Sequence, residues 1–287
     1  MAEEFMKGKT VLITGGTDGI GKQAAKEIAA IGAKVVLVGR SRERSEQAVA
    51  EVIASSHNAD VDYLMADLSS MGEVKALAGS FRAKFDRLDV LVNNAGAGFV
   101  CRNWTVDGYE MTFALNHLAY FLLTHLLLDM LQASAPSRVV STSSGSSYSG
   151  RIHFEDIHLK RFYFVHTAYA QSKLANVMFT YALARRLEGS GVTANVFHPG
   201  LVKTGIFRKV PKVGWLADKL ILDLRKPISV EEGAQTLVYL ATSPKVAGQS
   251  GHFYYKKKIR QTIPQSYSVE DQERLWELSM RMVKDWW

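Results

Sequence analysis

The sequence predicts a doubly wound α/β fold: one parallel sheet of about seven strands with helices on both faces. Three observations carry that expectation. Short apolar runs of strand length alternate with amphipathic stretches of helix length from Thr10 to Tyr255. A glycine-rich turn joins the first run to the first helical stretch. Polar motifs fall just after the strands, which is where open α/β sheets bind their ligands. Alternation of this kind lays helices over both faces of a parallel sheet.

The elements follow in order. Thr10 to Thr14 is an apolar strand, Gly15 to Gly21 a turn, and Lys22 to Ile31 a helix stopped by Gly32. Lys34 to Val38 is the second strand, and Ser41 is placed to cap a helix reaching Ser55. Val61 to Met65 and Met71 to Phe85 form the third strand and helix. Asp89 to Val92 and a long helix over Tyr109 to Leu131 form the fourth pair. Arg138 to Thr142 precedes a helix over Ala168 to Glu188. Val192 to Phe197 is a strand, Val230 to Ala241 a helix, and His252 to Tyr255 a last short strand. Ser268 caps a C-terminal helix that runs to Trp287. No linker, repeat or low-complexity tract divides the 287 residues, so one domain is expected.

Composition narrows the function classes. The single cysteine, Cys101, excludes an internal disulfide and points to a reducing, cytoplasmic setting. The N-terminal segment has no apolar signal-peptide stretch. No window reaches about 18 uninterrupted apolar residues, so no spanning helix is predicted. A net charge of +7 suits an anionic partner, whether a nucleotide phosphate, a membrane surface or a nucleic acid. The lack of an aromatic-basic RNA motif and of zinc-finger spacing disfavours nucleic acid. No metal site is expected.

Within the last long helix but two, Tyr169-Ala-Gln-Ser-Lys173 sets a phenol and an ammonium on one helix face. A fixed ammonium beside a phenol favours the phenolate, so the Tyr169 pKa is expected to fall from about 10 toward neutrality. A general acid or base works best with its pKa near the working pH. Thr14-Gly-Gly-Thr-Asp-Gly-Ile-Gly21 follows the first strand and opens the first helix. Its glycines let backbone N–H groups approach a pyrophosphate at the positive helix end. The second strand ends Val38-Gly39-Arg40, without an acid to bind a ribose 2′-hydroxyl. Arg40 offers a planar fork for a 2′-phosphate, and Asp18 adds negative charge near the same place.

Three further motifs complete the pattern: Ala66-Asp67-Leu68, Asn93-Asn-Ala-Gly96 and His198-Pro-Gly-Leu-Val-Lys-Thr204, each after a strand. With the turn and the Tyr/Lys pair, the chain resembles the short-chain dehydrogenase/reductase family over nearly its whole length. That resemblance implies a Rossmann-type fold and an NADP(H) cofactor, with NAD(H) also accommodated. It places Gly15, Thr17, Asp18, Gly19, Ile20 and Gly21 at the pyrophosphate turn. It puts Asp67 and Leu68 at the adenine, and Asn93, Ala95 and Gly96 behind the ribose. Pro199, Gly200, Val202 and Thr204 match the segment that orients the nicotinamide. Asn116, Ser144, Tyr169 and Lys173 match the catalytic group, with Ser143 a neighbouring candidate for the serine. A closer likeness is to the retinol dehydrogenase-like branch, carried by Asn116 to Thr124, Arg151 to Asp156, Tyr169 to Asn176 and Glu231 to Thr236.

The resemblance implies hydride transfer to or from a small lipophilic carbonyl or alcohol. A steroid, quinone or other ring ketone is the alternative substrate class, and a silent dinucleotide sensor the alternative function class. Residues 201 to 228 match a substrate lid, and Phe99, Trp104, Tyr148 and Phe162 to Phe164 are candidates for pocket walls or plain core. The C-terminal helix carries two apolar stripes, Leu275/Leu278/Met282/Trp286 and Trp276/Met280/Val283/Trp287. They are expected to pack on the same subunit; a homo-oligomer contact or a peripheral membrane contact, helped by Lys256 to Lys258, are the other readings.

Overall fold

A computed structural model describes residues 6–202 and 227–287 of the chain. Among the described residues, eight strands form one sheet. In chain order they are β1 (Thr10–Thr14), β2 (Lys34–Gly39), β3 (Val61–Met65), β4 (Val90–Asn93), β5 (Ser137–Thr142), β6 (Val192–Phe197), β7 (Phe253–Tyr255) and β8 (Lys258–Ile259). Their spatial order is β3-β2-β1-β4-β5-β6-β7-β8. Every pairing is parallel except β7 with β8. The strand order reverses between β1 and β4, the switch point at which such sheets open a crevice for a ligand.

The helices cover both faces, as the alternation predicts. They are α1 (Gly19–Ala30), α2 (Arg42–Ser56), α3 (Met71–Lys84), a composite α4 described below, α5 (Leu128–Ala133), α6 (Val165–Arg186), α7 (Val230–Thr242), α8 (Pro264–Tyr267) and α9 (Val269–Val283). The strand period of two sorts side chains between two cores. Val11 and Ile13 of β1 join the core under α1, α2 and α7. Leu12 joins the core under α3, α4, α6 and α9. Among the described residues, no helix is long and apolar enough to cross a membrane.

Three differences from the sequence reading have local causes. Helix α1 starts at Gly19, three residues early, because the Asp18 side chain accepts from the Gly19 N–H and caps it. The long helix expected over 109–131 is broken. Helix α4 comprises Met111–Phe113, a π-helical turn at Ala114–Leu118 and Ala119–Leu126, and the chain re-enters helix as α5 after Leu127. Glu110 starts α4 by accepting from the Thr112 and Phe113 N–H groups, each at 2.8 Å. The hairpin from β7 to β8 was not expected at all. It turns through Lys256 and Lys257, both left-handed with φ of 49° and 60°.

Two features matter for the site. Helix α6 is buried on every face from Ala168 to Leu183, including Gln171, Ser172, Lys173, Asn176 and Thr180. Helix α9 is capped by Ser268, which accepts from the Asp271 N–H at 3.2 Å. It packs on the chain's own α6, burying Leu275, Ser279 and Val283. Trp276 stacks against Phe179 at 5.9 Å and meets Phe121 edge-on at 5.1 Å, while the Arg186 guanidinium lies 3.9 Å from the Trp276 ring.

Candidate active site

The glycine turn and the Asn93–Gly96 segment meet at the switch point. Thr14, the last residue of β1, joins them: its hydroxyl bonds the Val92 carbonyl and accepts from the Asn94 and Ala95 N–H groups at 2.8 and 3.1 Å. The Asn94 amide donates back to the Thr14 and Gly15 carbonyls at 3.0 and 3.3 Å. Close packing then dictates the glycines. A methyl on Gly21 would lie 2.3 Å from the Gly15 carbonyl oxygen and 2.6 Å from the Asn94 amide. Gly15 itself has φ of +63°. This is a cradle of exposed backbone at the start of α1, the kind that accepts a pyrophosphate. The residues present therefore fit a dinucleotide. Ile20 lies in the core beneath the turn, and Thr17 packs where a side chain on Gly39 would stand.

Asn93 has a different environment from its neighbours. It is fully buried and donates to Thr124 of α4 at 2.9 Å, so it ties the sheet to a helix. Asn94, the second residue of that motif, is the one that clamps the turn. The Asn-Asn doublet was the available signal, and only side-chain direction separates its members. Asp67 turns the chain after β3 by accepting from the Ser69 N–H and hydroxyl at 3.0 and 2.8 Å. Its other oxygen lies 3.6 Å from Arg40, whose side chain is 69% exposed at the end of β2. Leu68 is buried in the core.

Two of the four expected catalytic residues, Asn116 and Lys173, meet at Gly96. A methyl there would stand 3.0 Å from Asn116 Oδ1 and 3.1 Å from Lys173 Nζ. Asn116 lies on the π-helical turn; it accepts from the Ala97 N–H at 2.9 Å and donates to the Ala97 carbonyl and to Ser172. Lys173 donates to the Thr142 carbonyl, at the end of β5, at 3.2 Å. Its ammonium nitrogen is 5.7 Å from the Tyr169 ring and 5.5 Å from that of Tyr120, whose hydroxyl holds the Ala95 carbonyl at 2.8 Å. Ser144 is partly exposed and hydrogen-bonds with the Tyr169 side chain. Ser143 is buried and donates to the Lys173 carbonyl at 2.8 Å, so it braces α6 instead.

The electrostatics correct one expectation. Burial pushes Tyr169 up to about 12, with Ser144 pulling weakly the other way. Burial likewise brings Lys173 down to about 7. Desolvation disfavours the charged form of each group. The pair is a protonated phenol beside an amine that titrates near neutrality.

After β6, Gly200 has φ of +94° and its N–H donates to His198 Nδ1 at 3.1 Å. The His198 ring stacks on Tyr255 at 4.1 Å, which seats the Pro199–Gly200 turn against β7. Val202 pairs with Ile228, bringing the two ends of the expected lid side by side. Thr204 and the rest of that segment, 203–226, lie outside the described residues. Of the expected pocket walls, Tyr163 donates to the Phe99 carbonyl at 2.7 Å, while Trp104, Phe162 and Phe164 are exposed.

A family model described as short chain dehydrogenase matches residues 9–213, from the start of β1 through the Tyr/Lys helix. The chain belongs to the short-chain dehydrogenase family. This short-chain dehydrogenase is 40% identical to human polyprenol dehydrogenase over 96% of its own length and 85% of the relative's. It is 40% identical to mouse retinol dehydrogenase 14, over 97% of its own length and 87% of the relative's. Among solved structures it is similar to an uncharacterised Mycobacterium paratuberculosis protein, with a TM-score of 0.77 and 31% identity over 99% of this chain and 97% of that one. It is also similar to the Pseudomonas aeruginosa RhlG/NADP active-site complex, with a TM-score of 0.71 and 27% identity over 88% of this chain and 96% of that one. The family resemblance, the retinol dehydrogenase-like branch and the doubly wound sheet read from the sequence are thereby established, and the chain is an oxidoreductase of the NAD(P)(H)-using type.

Proposed function

We propose that the enzyme transfers a hydride between NADP(H) and a lipophilic alcohol, aldehyde or ketone. The observation that carries this reading is the meeting of Asn116 and Lys173 at Gly96, with the Tyr169 ring 5.7 Å from the lysine nitrogen and Ser144 hydrogen-bonded to that tyrosine. The dinucleotide supplies or accepts the hydride; the protein supplies position and proton transfer. Gly15, Gly19 and Gly21 hold the pyrophosphate, with Asp18 fixing the start of α1. Asp67 holds the adenine, and Pro199, Gly200, Val202 and Thr204 orient the nicotinamide. In the reductive direction Tyr169 gives its proton to the carbonyl oxygen, and a protonated phenol is the form that task requires. Ser144 donates to the same oxygen where negative charge develops. Lys173, titrating near neutrality, returns a proton to the tyrosine.

The NADP(H) preference rests on Arg40. Its exposed guanidinium can leave Asp67 for a 2′-phosphate, and β2 ends without a carboxylate. The solved RhlG structure is an NADP active-site complex, which supports the same choice. The lipophilic substrate class is supported by the relatives named for retinol and polyprenol. The test is NADPH oxidation, with NADH in parallel, over aldehydes, retinoids, ring ketones and quinones. Tyr169→Phe should abolish turnover while dinucleotide binding persists. Turnover near the parent level in that variant, or activity confined to polar sugars, refutes the reading.

A further inference from the structure

Helix α6 presents a second polar side chain to the carbonyl that holds the lysine. Asn176 Nδ2 donates to the Thr142 carbonyl at 3.2 Å, the same oxygen that accepts from Lys173 Nζ at 3.2 Å. The Asn176 amide keeps a second proton to donate, while its Oδ1 is buried without a hydrogen-bond partner. His117, next to Asn116 on the π-helical turn, is fully buried against the Asn176 side chain. Its Nδ1 is likewise buried without a hydrogen-bond partner. The Ser279 hydroxyl of α9 donates its one proton to the Leu275 carbonyl at 2.8 Å. His117 Nε2 lies 2.9 Å from that hydroxyl oxygen and is therefore the donor to it. A neutral ring has one donor and one acceptor, so Nδ1 is the acceptor. The second amide proton of Asn176 is the donor that suits it.

We propose that Ser279, His117 and Asn176 are positioning residues, a buried polar chain by which helix α9 holds the Thr142 carbonyl and, through it, the Lys173 amine. The inference rests on the hydride-transfer reading and extends it to a dependence of the site on the docked C-terminal helix. The π-helical turn is the mechanical link. Asn116 fixes one side of it to Ala97 and His117 fixes the other to α9. Around Lys173 stand the Tyr169 and Tyr120 rings and the Thr142 carbonyl. Around His117 stand Phe113, Phe121 and Phe179 with Ser279 and Asn176. No carboxylate is among these groups, so a displaced chain acts on the lysine through geometry.

The test uses the full chain carrying Ser279→Ala, His117→Phe or Asn176→Leu. Ser279→Ala removes one oxygen and leaves the aromatic packing intact, so it carries the test even if His117→Phe fails to fold. Three quantities are measured: NADPH affinity by fluorescence, kcat against KM, and the pH dependence of kcat. The expected result is unchanged NADPH affinity, kcat lowered roughly two- to thirtyfold, and a displaced kcat–pH profile. The Ser279→Ala/His117→Phe double variant should be no slower than His117→Phe alone, because both break one chain. A parent-like kcat and pH profile in Ser279→Ala overturns the proposal. So does a loss of kcat that tracks a lower Tm while the pH profile stays put. Tyr169→Phe in the same assay separates the two readings. If it is inactive while Ser279→Ala is parent-like, only the positioning chain falls; if it turns over normally, both fall.

Discussion

Replacing Lys173 by methionine should make the protein more stable while making it inactive. The side chain is 2% exposed and burial brings its pKa from 10.5 to about 7. Between those values the unfolded chain binds more protons than the folded one, so stability rises with pH across that window. Conversely, the penalty for burying this amine is fully expressed below pH 7 and vanishes above 10.5. At pH 7 a shift of this size costs the folded state about 4 kcal/mol. Methionine is one heavy atom shorter than lysine and carries no charge to desolvate. It forfeits the hydrogen bond to the Thr142 carbonyl, worth about 1 kcal/mol. The balance is a gain of about 3 kcal/mol at pH 7, most of it gone by about pH 9.5. Urea denaturation of both proteins at the two pH values, without added dinucleotide, measures it. A Lys173→Met variant no more stable than its parent at neutral pH, or a difference flat with pH, refutes the reasoning. The conclusion would then be that the lysine is solvated or paired and stays charged.

Other consequences are simpler to state. Gly21→Ala forces a methyl against the Gly15 carbonyl and the Asn94 amide. The strain, about 1–3 kcal/mol, should weaken dinucleotide binding roughly five- to 150-fold by fluorescence titration; affinity within twofold of the parent would show that the turn yields. Arg40→Asp should move the ratio of KM values toward NADH, and an unchanged ratio removes Arg40 as the phosphate clamp. Leu275→Ala cuts a side chain that is 1% exposed in the α9 seam and should cost about 2–5 kcal/mol in the urea midpoint; a loss below about 0.5 kcal/mol would mean that α9 is only loosely docked.

The alternating pattern made the sheet legible because strand period and helix period differ and both faces of the sheet are apolar. Val11, Leu12 and Ile13 diverge to opposite cores, yet all three read as strand. The site was legible wherever a residue type had one plausible use after a strand, as with Tyr169 and Lys173. It was less legible where direction decides. Ser143 and Ser144 are adjacent, and only the strand's end geometry sends one into α6 and the other toward Tyr169. The Tyr169 pKa was misjudged because sequence spacing reveals proximity and not desolvation. Ser279 was invisible for a related reason: the two apolar stripes of α9 straddle the seam, and the residue at its centre is polar.

The hairpin that ends the sheet has a consequence for the crowded cell. An open sheet exposes unpaired backbone at its edges, and such an edge recruits strands from other molecules. Here β7 gives way to a strand of only two residues, Lys258–Ile259, after a turn in which Lys256 and Lys257 adopt left-handed backbone. Lys256 also reaches back to Glu232 at 3.6 Å. The far edge is guarded differently: Asp62 of β3 is held by Lys84 at 2.5 Å, setting a charged pair along the strand. Three consecutive lysines that read in sequence as bait for an anionic surface thus also guard against self-templating. A newly made copy meeting this edge finds too few free backbone groups, and too much positive charge, to add itself.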